Sequence, residues 1–135
     1  MTHLEPGAVL APQEYAVTRA GLVAYAAASG DLNPIHWSDR VATQVGLPGV
    51  IAHGMYTMAL AARAVATWTH DAPVLEIGCK FTAPVVVPDD DEGVVVVVGG
   101  SVKSVEDGRA TIVLEVTCAG TKVLGMPRAV VAVDG

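Results

Sequence analysis

An aspartate and a histidine stand five residues apart in the segment Tyr25-Ala-Ala-Ala-Ser-Gly-Asp-Leu-Asn-Pro-Ile-His36. A carboxylate beside an imidazole is a pair for moving protons. Imidazole as a residue type titrates near neutral pH, and a carboxyl group gains useful acidity when burial desolvates it. On an uninterrupted helix, five residues would set Asp31 and His36 about 140° apart, on different faces. Pro34 removes that geometry. It cannot sit in a helix interior, and it biases Asn33 away from helical angles. Residues 31–37 therefore read as a loop that can turn both side chains toward one small volume. The structural alternative is that Asp31 caps a helix end or turn and His36 is a satisfied polar residue near the core.

The elements on either side must hold that loop. Residues 14–18 alternate apolar and polar positions, as a short strand does. Thr18 is placed to cap a helix through Leu22, Val23 and Tyr25 to about Ser29, with Gly30 at its C′ position. Ser38 is the next capping candidate, for a short helix over residues 39–45. Asp39 lies in its first turn, where the helix dipole favours negative charge, and Gly46 ends it. Leu47-Pro-Gly-Val50 turns into Ile51-Ala-His-Gly54. The most apolar helix follows, to about Trp68, with apolar residues around its whole circumference. Such a helix is expected to be buried on all sides.

The second half is rich in Val, Ile and Thr. Strands are expected over residues 74–81, 94–105, 110–119 and 122–133, separated by turn signals, of which Asp107-Gly108 is the clearest hairpin. The expected fold class is α+β: a single domain over residues 1–135, with an antiparallel sheet wrapped around one central helix. Val94 to Val98 offers apolar side chains to both faces of its strand. One face can cover the helix. A partner subunit is the simplest cover for the other.

Composition narrows the function classes. Among 135 residues, 52% are hydrophobic and only 16% charged, so the apolar excess must enter a buried helix, an oligomer interface or a ligand tunnel. The net charge is −6, and the eight Lys and Arg residues form no basic run. Nucleic acid is therefore not an expected partner. No basic, apolar signal segment opens the chain, and the longest apolar helix is too short for a bilayer and contains Arg63. A cytoplasmic location without membrane contact is expected. Cys79 and Cys118 lie in apolar or β-branched segments and read as buried free thiols. No CxxC or Cys/His cluster is visible, so neither a metal nor another cofactor is called for. His3 and His70 have no motif around them and are expected to be exposed.

The loop resembles the signature of the (R)-specific hydratases and MaoC-like dehydratases: Gly-Asp-x-Asn-Pro-x-His, preceded by an aromatic residue and followed by an acidic one, here Tyr25 and Asp39. Ile51-Ala-His-Gly-Met55 is a second match, opening the central helix at the family's spacing. The likeness extends from about Thr18 to the end of the chain. It is strongest to the catalytic subunit of actinobacterial fatty-acid-synthase-II (3R)-hydroxyacyl-carrier-protein dehydratases, through Asn-Pro-Ile-His-Trp and Ile-Ala-His-Gly-Met. The resemblance implies the hot-dog fold and reversible addition of water to a trans-2-enoyl thioester, giving a (3R)-hydroxyacyl thioester. It implies Asp31 and His36 as the catalytic pair, sharing proton removal from water and proton delivery at C2.

Free N–H groups at the start of the central helix suit a developing enolate oxygen. Gly54 lets a carbonyl approach closely, and its N–H is the expected oxyanion donor; tight helix–sheet packing is the alternative role for this glycine. Asn33 is expected to fix the loop, with Tyr25 and His53 as further supporting residues. His53 is expected to pack or bond within its own turn. Tyr56, Met58 and Ala62 are core positions unless a lipid tunnel runs beside the helix.

The acyl carrier is open between coenzyme A and acyl carrier protein, with Arg40, Lys80, Lys103 and Arg128 as cations that could meet an acidic carrier. The assembly is open between a homodimer and a heterodimer with a related hot-dog subunit. Two other functions compete. One is a non-catalytic or partner-dependent subunit of a heterodimeric dehydratase, against which stands the retention of both Asp31 and His36. The other is an acyl-thioester hydrolase, against which stands the lack of any Asp or Glu in residues 54–68.

Overall fold

The computed structural model describes residues 4–134. Strand β1 (Val9–Val17) leads into helix α1 (Arg19–Ser29). A 3-10 turn (Pro34–His36) and helix α2 (Asp39–Gln44) precede helix α3 (Gly54–Thr69). Strands β2 (Val74–Phe81), β3 (Val94–Glu106), β4 (Arg109–Cys118), β5 (Thr121–Lys122) and β6 (Leu124–Ala132) complete the chain. The strands form one antiparallel sheet in the order β1-β3-β4-β6-β2, with β5 paired to β4. Helix α3 packs against β1, β2, β3 and β6, so the sheet curves around it as expected of a hot-dog fold.

Alternation explains the core. Ala110, Ile112, Leu114 and Val116 are buried at every second position of β4. Val96, Val98 and Val102 do the same on β3, facing Leu60, Ala61, Ala64, Val65 and Trp68 of α3. Trp68 also donates its indole N–H to the Ala11 carbonyl at 2.7 Å, tying the end of α3 to β1. Thr18 caps α1 by accepting from the Gly21 N–H, and Gly30 closes it in the left-handed conformation at φ 78°. Asp107 (φ 52°) and Gly108 (φ 74°) make the β3–β4 hairpin with the two positive φ values that this turn requires.

Several expectations are corrected. β1 begins five residues earlier than the pattern suggested, because Pro12 masks it; the register shift between Leu10 and Gln13 accommodates that proline on an edge strand. The last strand is two, broken at Val123. Residues 34–36 form a 3-10 turn where a loop was expected, with Pro34 at the first position, where its missing N–H costs nothing. Helix α3 is not buried all round: Met55, Ala59, Arg63 and Thr67 form an exposed stripe at four-residue spacing. Cys79 and Cys118 are free but only half-buried, and burial pushes both thiols upward in pKa. His70 is exposed, while His3 lies outside the described residues. Among the described residues, no helix is long and apolar enough to cross a membrane.

Candidate active site

The segment that carries Asp31 and His36 is built from local side-chain bonds. The Asp31 N–H donates to Ser29 Oγ, and Asp31 Oδ1 accepts from the Asn33 N–H at 3.2 Å. Asn33 Oδ1 accepts from the Ile35 N–H at 3.2 Å, the loop-fixing bond expected of an Asn before Pro. The Trp37 indole N–H closes the segment on the Leu32 carbonyl. These short-range bonds replace the helix ladder that Pro34 interrupts.

One extended stretch, residues 50–52, locks this loop to the start of α3. The Ile51 N–H donates to the Ile35 carbonyl, and residues 50–52 pair with 85–87 through Ala52 N–H to Val85 O and Val87 N–H to Val50 O. The Ile51 carbonyl in turn accepts from His36 Nδ1 at 2.7 Å. A carbonyl oxygen can only accept, so Nδ1 carries a proton and Nε2 is the ring nitrogen left to face Asp31. That Nε2 lies 3.8 Å from Asp31 Oδ2. The separation is too long for a direct hydrogen bond and suits one water held between the two groups. His36 is buried, whereas the Asp31 side chain is half-exposed.

Both residues line a cleft of about 430 Å³ together with Gly54, Met55, Thr57, Phe81 and Leu124. Gly54 is the first residue of α3, and its N–H is among those that a helix leaves without an intrahelical acceptor. A Cβ at this position would come within 2.9 Å of the Phe81 ring, so the glycine also permits close helix–sheet contact. The packing role considered for Gly54 is visible in this contact.

Tyr25 and His53 stand behind the pair. The His53 and His36 rings stack with centroids 3.8 Å apart, and Tyr25 meets His53 edge-on at 4.8 Å. His53 does not bond within its own turn; Nε2 donates to the Asp31 carbonyl at 3.2 Å, across 22 residues of chain. Burial holds its pKa below the usual histidine value, and so does neighbouring His36. Asp31, His36 and His53 each place a potential metal-ligand atom within 4.8 Å of the others. That group has no sequence spacing to announce it. The His53 Nε2 proton is engaged with the Asp31 carbonyl, which leaves Asp31 and His36 as the two groups free to face the cleft.

Tyr56, Met58 and Ala62 are not in the lining of this cleft; Met55 and Thr57 are the α3 side chains that reach it. Thr57 and Phe81 carried no motif, and register on α3 and β2 was the only available signal. Asp39 does more than favour a helix dipole. Its Oδ1 accepts from the Val50 N–H at 3.0 Å, and its carboxylate takes both Arg19 contacts, at 2.8 and 3.0 Å. Arg40, Lys80, Lys103 and Arg128 are absent from the cleft lining.

Known proteins share this fold and part of this sequence. The MaoC like domain description matches residues 3–121. The chain is 39% identical over 72 residues to 3-hydroxyacyl-thioester dehydratase X of Mycobacterium tuberculosis, a stretch that covers 53% of this chain and 25% of that protein. A solved MaoC-like dehydratase superposes with a TM-score of 0.91 at 33% identity, over 97% of this chain and 41% of that one. The (R)-hydratase from A. caviae involved in PHA biosynthesis superposes with a TM-score of 0.85 at 25% identity, over 99% and 100% of the two chains. The chain thus spans a quarter of the curated relative and under half of the first of these structures. With its fold, its paired loop and helix start, and a match along most of its length, the chain belongs to the MaoC-like dehydratase domain family.

Proposed function

We propose that this chain is a hydro-lyase that interconverts trans-2-enoyl thioesters and (3R)-hydroxyacyl thioesters. The observation that carries the reading is the orientation of His36: Nδ1 donates to Ile51 O, which aims Nε2 toward a carboxylate oxygen 3.8 Å away, in a cleft that also holds a helix N-terminus. In the hydration direction, a water held between Asp31 and His36 loses a proton to the pair, and its oxygen bonds to C3. The π electrons of the C2–C3 bond move onto the thioester carbonyl, whose oxygen is met by the Gly54 N–H. The pair then returns a proton to C2 from the same face, completing syn addition. No electron acceptor is required, and atoms balance as substrate plus water.

The thioester arm is that of coenzyme A or acyl carrier protein, which present the same pantetheine. The working assembly is a dimer, either of this chain or with a related hot-dog subunit. Within helix α3, Gly54–Thr69, no Asp or Glu is present to serve a thioesterase, so hydration is favoured over hydrolysis.

The test is loss of enone absorbance with crotonyl-CoA and longer enoyl-CoA substrates. Asp31→Asn and His36→Ala should each lower kcat by about 10²–10⁴-fold with the fold intact, the range for positioned proton-transfer groups. Near-wild-type rates in either variant would sink the assignment. Activity should survive EDTA, because the His53 Nε2 proton is engaged by the Asp31 carbonyl; loss on chelation and return with zinc would instead make Asp31, His36 and His53 a metal site.

A further inference from the structure

Thr57 is the buried polar residue of this cleft that the reaction has not used; Thr82, also in the lining, is exposed. Thr57 is 3% exposed and lines the same cleft as Asp31, His36 and Gly54. Threonines inside helices usually turn the hydroxyl back onto the carbonyl one turn earlier. Thr43, Thr67 and Thr69 all do so here, at 2.8–3.1 Å. Thr57 does not, and the His53 carbonyl it would use already accepts the N–H groups of Tyr56 and Thr57 itself. Among the described residues, the Thr57 hydroxyl has no hydrogen-bond partner, yet the sole fully enclosed orphan side-chain atom is His53 Nδ1. The hydroxyl therefore opens onto the cleft. A buried hydroxyl without a partner carries a desolvation cost that a ligand can relieve.

Its place on the helix says which ligand atom. Thr57 stands three residues after Gly54, so the two share a face, and helical side chains lean toward the N-terminus, over the turn that Gly54 begins. Gly54 has no side chain to keep a carbonyl oxygen away.

We propose that the Thr57 hydroxyl is a second hydrogen-bond donor, beside the Gly54 N–H, to the thioester oxygen as it becomes an enolate. This rests on the hydratase reading above. It gives the oxygen two donors from one helix turn, and it makes Thr57 a catalytic residue that no motif marks.

The experiment compares Thr57→Val, Thr57→Ser and Thr57→Ala with wild type on crotonyl-CoA, measuring kcat, KM and thermal midpoint. Removal of the hydroxyl in the Val and Ala variants should lower kcat by about 10²-fold, the lower end for loss of one oxyanion donor, with KM changing far less. Thr57→Ser should keep most of the rate. Thr57→Val should melt no lower than wild type, because no protein bond is lost. Should the valine variant not fold, the Ser and Ala pair still differ by the hydroxyl alone. Wild-type kcat in Thr57→Ala or Thr57→Val overturns this inference and leaves the hydratase reading standing. A wild-type chain that hydrates no enoyl thioester overturns that reading, and this one with it.

Discussion

His53 is 1% exposed, and one of its ring nitrogens, Nδ1, has no partner. Its other nitrogen supports the Asp31 carbonyl, and its ring lies flat on His36. The groups that face it are Asp31, His36 and Tyr25, and burial outweighs the favourable bond to the Asp31 carbonyl, so the folded protein holds His53 below the usual histidine pKa. The sign follows from proton counting. The unfolded chain binds the His53 proton more readily than the folded one, so stability is full above the unfolded value of about 6.5 and is lost as pH falls below it. The urea midpoint should therefore drop between pH 7.5 and pH 5, and His53→Gln should flatten that part of the profile. An unchanged slope in the variant would assign the pH dependence elsewhere. At this scale Asp31, Asn33, His36 and Gly54 were legible, because a proline and a helix start impose their geometry locally. His53 was visible only as a member of its own turn. Its partners lie 17 and 22 residues away, and no local pattern encodes a stack between two rings on different elements.

Elements converge on Arg19 and Asp39. Arg19 opens α1, and its Nε donates to the Val87 carbonyl at 2.7 Å while Nη2 reaches the Asp39 carboxylate. Asp39 opens α2 and holds the Val50 N–H. Two helices and the paired stretches 50–52 and 85–87 are thus joined at one ion pair, and the 50–52 stretch carries the Ile51 carbonyl that sets His36. The Val50 N–H and the Arg19 guanidinium hold the Asp39 carboxyl below its usual pKa. Its contribution to stability is present above the unfolded value of about 3.9 and is lost as pH falls further, a window well below that of His53. Asp39→Ala should lower the thermal midpoint at neutral pH. It should also cut kcat/KM by about 10-fold or more, because a shift of about 1 Å at a catalytic group can cost 10²-fold. A variant with a lower midpoint and full activity would show that the ion pair serves the fold alone. Sequence patterns placed β2 at Val74–Phe81 and both capped helices correctly, since alternation and caps are local signals. They missed the start of β1, where Pro12 reads as a strand breaker, and the break at Val123, where a β-branched run conceals it.

The sheet has two edges, and they are not equivalent. Edge strand β1 contains Pro12, which cannot donate to a neighbouring chain. Edge strand β2 has no proline, and Val74, Leu75 and Phe81 on it are 41%, 45% and 57% exposed. Met126 of neighbouring β6 is 77% exposed. An apolar edge of this kind invites pairing with another chain, and an oligomer interface was one of the three places where the 52% hydrophobic composition could be buried. A standard interface buries about 800 Å² per partner, about a tenth of the 7473 Å² surface of this chain. Sedimentation equilibrium of the chain alone should therefore return about twice its 13.8 kDa, and Leu75→Lys should shift the mass toward one chain by placing a charge on that edge. Phe81 joins the edge to the chemistry, because its ring packs on Gly54 and lines the cleft. Loss of the dimer should then raise KM as well as lower the mass. A single-chain mass for wild type, with activity gained only on adding a related hot-dog subunit, would assign the same edge to a heterodimer. A dimer that persists with Leu75→Lys would place the interface on another face of the sheet.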